Sequence, residues 1–376
     1  MRKCVLLMLL VALLPVCLLA QVKVTFKTGK LPVTKGANLF LAGDFNNWTP
    51  ADKSWQLVAD ASGGYSLVKE FNTGSINLKV TKGSWETAEC DADGKPVGNH
   101  TYQINRDTTI VLDIVAWQDN FKAAEKKHTA SANVQLMAPK FNIPQLGRQR
   151  RIWIYLPADY KTSRKRYPVI YMHDGQNLFD EYVSGYGEWG VDEALDSLPA
   201  KKQCIIVGID NGGGQRISEY DPYDSKYGGK GRGDDYVDFL AKTLKPYVDS
   251  AYRTQKAAKY TTVAGSSMGG LISMYAVLKY PDVFGNAGIF SPAFWIAPEI
   301  FTYADKNLNK KSRFYFECGD AESALMTTDM QKMADLARSK GIDIKNAPTL
   351  IIKGAKHNER QWRSAFPAFY EWLGGR

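Results

Sequence analysis

The chain has 376 residues, with 48 basic against 39 acidic side chains, for a formal charge of +9. That excess is mild and dispersed, so no nucleic-acid partner is expected. Five cysteines are too few and too scattered for a disulfide framework, and the length exceeds one ordinary domain, so two are expected.

The chain opens on Arg2-Lys3, followed by an apolar run from Val5 to Ala20 broken only by Pro15. A basic start, a short apolar stretch and a small residue before Gln21 predict a signal peptide cleaved after Ala20, and hence an exported protein. The run is too short and wrongly flanked for a stable membrane span. Val16 is too bulky before Cys17 for a lipoprotein anchor. Loss of Arg2 and Lys3 lowers the charge from +9 to +7. The densest basic cluster, Lys161 to Arg166, reads as a solvated loop. Cys90, Cys204 and Cys318 remain, the latter two inside apolar runs where buried thiols are expected.

Residues 21–117 predict short alternating strands over Val22–Lys27, Asn38–Gly43, Gly64–Phe71, Ile76–Thr81 and Thr109–Trp117, the pattern of a small Ig-like β-sandwich. A polar stretch over 118–134 reads as a linker. From 135 to 376 strands alternate with helices. Strands are predicted at Arg151–Leu156, Val169–His173, Cys204–Asp210, Tyr260–Ala264, Gly288–Ser291, Arg313–Cys318 and Thr349–Lys353. Helices are predicted near 233–248, 268–280 and 328–340. This grammar implies an α/β domain with a mostly parallel sheet covered on both faces.

Between the strand ending at Ala264 and the next helix lies Gly265-Ser266-Ser267-Met268-Gly269, a match to G-x-S-x-G. This turn lifts a serine hydroxyl clear of an α/β-hydrolase sheet, and its glycines let the helix approach the strand closely. Ser267 is therefore the candidate nucleophile. Of four histidines, His100 falls in the β-rich half, His128 in the linker and His173 upstream of the serine. His357 follows the last strand and fits the chain order serine, acid, histidine. Asp320 and Glu322 both follow the strand Arg313–Cys318, and spacing leaves the acid open between them, with Glu359 a third candidate. The N–H of Met268 and that of Gly175 or Gln176, in His173-Asp174-Gly175-Gln176-Asn177, are the expected oxyanion donors. Trp189 and Trp295 follow sheet strands and are candidates for an aromatic acyl-binding wall. The glycine-rich stretches 212–214 and 228–233 do not fit a phosphate-binding loop and read as flexible loops beside the pocket. No cofactor is expected, and the His and Cys residues lack the spacing of a metal site.

Several stretches carry a resemblance over about residues 135–376: His173 to Asp180, Glu219-Tyr220, Tyr252-Arg253-Thr254, Gly265 to Leu271, Ser291-Pro292-Ala293-Phe294-Trp295, and His357-Asn358-Glu359 with Trp362-Arg363. Together they resemble the esterase-D-type α/β-hydrolases, the group of carbohydrate esterase family 1 with its feruloyl and acetylxylan esterases. The resemblance implies Ser267 as nucleophile, His357 as base and Glu322, four residues past Cys318, as the acid, where the group usually has Asp. It also implies Glu219 and Tyr220 near the substrate. Leu41 to Trp48, Leu78-Lys79-Val80 and Gly83 to Glu86 are similar to starch-binding and glycogen-branching-enzyme-type carbohydrate-binding modules. That similarity implies a sugar site built from Trp85, Lys79 and Glu86, with Trp48 beside it, since sugar rings stack on exposed aromatics.

The combined expectation is an exported serine carboxylesterase acting on a feruloyl or acetyl ester of a carbohydrate, with the N-terminal module holding polysaccharide. The alternatives are a siderophore-type esterase, an acyl transferase, or a glycan-binding protein with a vestigial hydrolase domain.

Overall fold

The computed structural model describes residues 21–34, 36–61, 63–121 and 126–374; the expected signal peptide lies outside them. The chain forms two compact units, Met1–Glu125 and Lys126–Arg376. Residues 126–133, expected to be linker, are tied into the second unit. The Thr129 amide donates to Asp180 at 3.0 Å, its hydroxyl to Glu188 at 2.8 Å, and the Ser131 amide to Asp192 at 2.7 Å.

Among the described residues, the first unit contains only strands and short 3-10 turns. Its strands are β1 (Gln21–Thr28), β2 (Leu39–Gly43), β3 (Gln56–Ala59), β4 (Tyr65–Asn72), β5 (Gly74–Thr81), β6 (Glu89–Cys90), β7 (His100–Ile104), β8 (Thr108–Leu112) and β9 (Ala116–Trp117). They pair in the order β7-β5-β2-β3-β4-β1-β8, with β6 and β9 as a separate pair; only β1 with β8 is parallel. Strand periodicity explains the core: Val22, Val24 and Phe26 of β1 point inward with Leu41, Leu78, Val80 and Trp117, while Lys23 and Thr25 alternate outward.

The second unit carries an eight-stranded sheet of β10 (Val134–Ile143), β11 (Arg148–Tyr155), β12 (Val169–His173), β13 (Ile205–Ile209), β14 (Thr261–Ser266), β15 (Asn286–Phe290), β16 (Arg313–Gly319) and β17 (Thr349–Ile352). Its order is β10-β11-β13-β12-β14-β15-β16-β17, antiparallel through the first three strands and parallel from β13 onward. Among the described residues, eight α-helices accompany it: α1 (Val191–Asp196), α2 (Arg216–Tyr220), α3 (Gly233–Phe239), α4 (Lys245–Ala251), α5 (Met268–Lys279), α6 (Glu299–Asn307), α7 (Ala324–Ser339) and α8 (Glu359–Leu373). Successive residues of the central strands feed opposite faces. Tyr171, Val207 and Val263 join a core with α3 to α7, whereas Ile170, Met172, Ile206 and Ala264 pack with α1 and α8. A strand buried on both sides must be apolar throughout, which is why β12 and β13 read as unbroken hydrophobic runs.

Candidate active site

The turn from β14 to α5 places Ser267 at φ 59°, ψ −119°, a strained backbone held because the Ser267 amide donates to the Phe290 carbonyl at 2.9 Å. The glycines around it are a packing requirement. A Cβ on Gly265 would lie 3.1 Å from the backbone of Gly269 and 3.0 Å from the His173 ring. Helix and strand therefore approach at backbone distance, which sets where the serine projects.

Four neighbouring strand ends each deliver one polar group: Ser267 after β14, Ser291 after β15, Glu322 after β16 and His357 after β17. Glu322 Oε2 accepts from His357 Nδ1 at 2.7 Å, with the Glu322 carboxylate buried and His357 partly open to solvent. The other oxygen, Oε1, accepts from the Ser291 hydroxyl at 2.7 Å and the Gly319 amide at 2.6 Å. Ser291 in turn accepts from Trp362 Nε1 at 2.9 Å, and the Trp362 ring meets the His357 ring edge to face at 5.1 Å. Because an ionised carboxylate only accepts, Nδ1 carries the imidazole proton and Nε2 is the free base. A cavity of ≈ 320 Å³ is walled by Ser267, Trp295, Glu322, Leu325, Met326 and His357, large enough for a small acyl group.

The two acids left open by spacing separate here. Asp320 is exposed and accepts from the Gly354 amide at 2.6 Å, away from the imidazole. Glu359 is buried and accepts from Asn177 at 3.1 Å, and burial, reinforced by the charge of Asp174, pushes it up to about 7. The other histidines are committed elsewhere. His100 bonds Glu89 and His128 bonds Asp180, each at 2.8 Å, and buried His173 bonds Tyr236 at 3.0 Å. Burial pushes His173 down to about 4, so it is neutral.

Met268 opens α5, where first-turn amides have no acceptor within the helix. Gly175 and Gln176 form the turn after β12, beside β14, although neither lines the cavity. Gly175 must be glycine, since a Cβ would strike the Gly208–Ile209 backbone at 2.6 Å. The turn is fixed by Asp174. Burial alone would raise its carboxyl, but Arg216, bonded at 2.7 and 2.8 Å, and Asn211 at 2.7 Å hold it below its ordinary value.

Three expected substrate contacts are corrected. Trp189 is buried, packed on Phe290 and Trp362, and belongs to the core. Glu219 is fully buried beneath Arg148 and Arg150, at 2.5 and 2.6 Å. Tyr220 is equally buried, its hydroxyl accepting from the Asp174 amide at 3.4 Å. Tyr220 supports the β12 turn, and Glu219 ties α2 to β11. Trp295 is 41% exposed on the cavity wall, where the edge of Tyr227 meets it at 5.3 Å.

One buried carboxyl near the site predicts a pH effect on stability. Glu317 is fully buried; Oε1 accepts from Gln361 and Oε2 has no partner among the described residues. Burial pushes it up to about 8, opposed by the Gln361 bond and reinforced by the Glu322 charge. The native state thus keeps a proton that the unfolded chain loses near pH ~4.3. The resulting stabilisation is complete below that pH and is lost as pH rises towards about 8. Glu317→Gln removes this dependence. The stability of wild type relative to the variant falls by on the order of 3 kcal/mol between pH ~5 and ~9, measured by urea unfolding. A constant difference across that range contradicts it.

In the first unit, Trp48 and Trp85 lie 6.5 Å apart, Trp85 being 38% exposed beside exposed Glu86. Asn47 and Trp48 both take left-handed backbone, φ 53° and 56°, pinned by the Trp48 amide donating to Gly43 at 2.8 Å. Lys79 donates to the Val97 carbonyl rather than standing free beside the tryptophans.

A mixed sheet with helices on both faces and a strained serine between β14 and α5 defines an α/β-hydrolase of the esterase type. Residues 143–373 match the Esterase family, described as "Putative esterase", and the chain belongs to that family, whose members are hydrolases acting on esters. The chain is 26% identical over 246 residues to the uncharacterized protein YbbA of Bacillus subtilis, covering 60% of this chain and 93% of that one. It is 25% identical over 278 residues to an endo-1,4-beta-xylanase/feruloyl esterase of Xylanibacter ruminicola, covering 71% of this chain and 34% of the relative. The enterobactin esterase of Shigella flexneri shares the fold with a TM-score of 0.54 and 16% identity, covering 94% of this chain and 93% of that one.

Proposed function

We propose that the chain is an exported serine esterase that hydrolyses a feruloyl or acetyl ester of a carbohydrate. The observation that carries this reading is the His357–Glu322 hydrogen bond of 2.7 Å on the cavity that Ser267 also lines. Ser267 Oγ attacks the acyl carbonyl as His357 Nε2 takes its proton, and Glu322 stabilises the imidazolium. The amide of Met268, with one from Gly175 or Gln176, receives the oxyanion. The imidazolium returns its proton to the leaving alcohol, and water then releases the acid from the acyl-enzyme by the same route. Similarity to a xylanase/feruloyl esterase supports the carbohydrate ester. The Trp48–Trp85 pair supports an Ig-like, carbohydrate-binding N-terminal unit, in which the rings would stack on sugar.

The iron(III) enterobactin esterase of Dickeya dadantii, 31% identical over 151 residues, supports a siderophore ester as the second reading. A fluorophosphonate is expected to label Ser267 stoichiometrically. A panel of feruloyl-arabinose, acetylated xylan and a catecholate trilactone then identifies the substrate. Absence of labelling together with tight glycan retention would mean a binding protein with an inert hydrolase unit.

A further inference from the structure

The two glycine-rich loops, 212–214 and 228–233, meet in a second cleft of ≈ 370 Å³ on the hydrolase unit, which contains Gly214 and Gly228. Its charged walls are Arg148, Lys230 and Arg232, and no acidic side chain among the described residues lines it. The acids behind it are already shared. Glu219 is divided between Arg148 and Arg150, and Asp235 pairs with Arg232, which also donates to the Gln145 carbonyl. Asp224 accepts from the Gly231 amide at 3.0 Å, and Lys230 Nζ has no acidic partner among the described residues. Lys226 adds a further cation, 5.0 Å above the Tyr227 ring.

The loop is held in place. The Ser218 hydroxyl donates to the Lys230 carbonyl at 2.5 Å, and the Arg232 amide to the Ser218 carbonyl at 2.7 Å. A Cβ on Gly228 would lie 2.8 Å from Ile217, so glycine there serves close packing rather than mobility. Tyr227 lines this cleft and touches Trp295, which lines the Ser267 cavity, so an aromatic wall runs from one to the other.

We infer that this cleft is an anion subsite that takes the carboxylate of an acidic sugar while the ester bond lies at Ser267. Lys230, without an acidic partner, and the excess of Arg148 and Arg150 over the one Glu219 supply the charge, and the Trp295–Tyr227 wall supplies a surface for the intervening sugar ring. This rests on the carbohydrate-ester reading above.

The test compares two matched acetylated xylo-oligosaccharides, one neutral and one bearing a glucuronate. Wild type is expected to prefer the uronate ester by about tenfold in kcat/KM at low salt, with the preference shrinking at high salt as charges are screened. Lys230→Glu is expected to abolish or invert that ratio. Calorimetric titration of the full-length Ser267→Ala protein with the deacetylated uronate oligosaccharide reads binding without turnover. Equal rates on both esters, or a preference that survives Lys230→Glu and high salt, would overturn the subsite. If neither ester is cleaved but Lys230-dependent binding persists, the substrate reading fails and the anion site stands.

Discussion

Ser267→Ala lowers kcat for a nitrophenyl acetate by about a millionfold, leaving a residual acceleration of about 10³ over water. The serine sits at φ 59° on a turn that the glycines and the Phe290 carbonyl keep from relaxing, so no neighbour moves in to replace it. Ser266, the adjacent hydroxyl, belongs to β14 and is buried. The variant should fold as wild type does, since the change deletes one oxygen from a cavity wall and adds no atom. Steady-state kinetics on protein of matched melting temperature checks the expectation, and a wild-type rate would remove Ser267 from the mechanism.

Glu322→Gln lowers kcat by about 10⁴-fold. The amide retains one oxygen to accept from Ser291 and Gly319, so the side chain stays where it is. Its nitrogen, however, faces His357 Nδ1 as a donor, which drives the proton to Nε2 and removes the free base. The loss is therefore one of tautomer and charge, not of folding. Ser291→Ala separates positioning from charge. It leaves the carboxylate and imidazole intact but removes a buttress bond and strands Trp362 Nε1, for about a tenfold loss. Equal losses in the two variants would mean that Glu322 acts only through packing.

Much of this was legible in the sequence because strand burial and turn chemistry are local. The strand at Val169–His173 has the bounds its apolar run predicts, and the helix after Ser267 ends one residue short of its expected end. Several short elements escaped, α1, α2 and α6 among them, and two longer ones did so for plain physical reasons. β10 carries Pro139 and two register shifts against β11, which erase its alternation, and α8 contains Pro367, which reads as a breaker. Within the site, spacing could not choose between Asp320 and Glu322, because the choice depends on which carboxylate meets a histidine 35 residues away. Glu219 and Tyr220 were misread as substrate contacts. Polar residues in a distinctive motif look alike whether they face a ligand or, as here, serve as buried ties between elements. Ser291 gave no signal as a buttress, since its partners Glu322 and Trp362 lie far along the chain.

The succession of Ser267, Ser291, Glu322 and His357 on four adjacent strand ends has an evolutionary consequence. Neighbouring strands are spaced by the sheet itself at about 4.8 Å, so the reacting groups are positioned by a lattice. The loop over 222–232, between α2 and α3, lies outside that lattice and meets the cavity wall where Tyr227 touches Trp295. Unlike Arg216 and Tyr220, which fix the β12 turn, this loop can lengthen, shorten or change charge without altering the chemistry. New substrates are therefore most easily acquired there, with the reacting centre inherited unchanged.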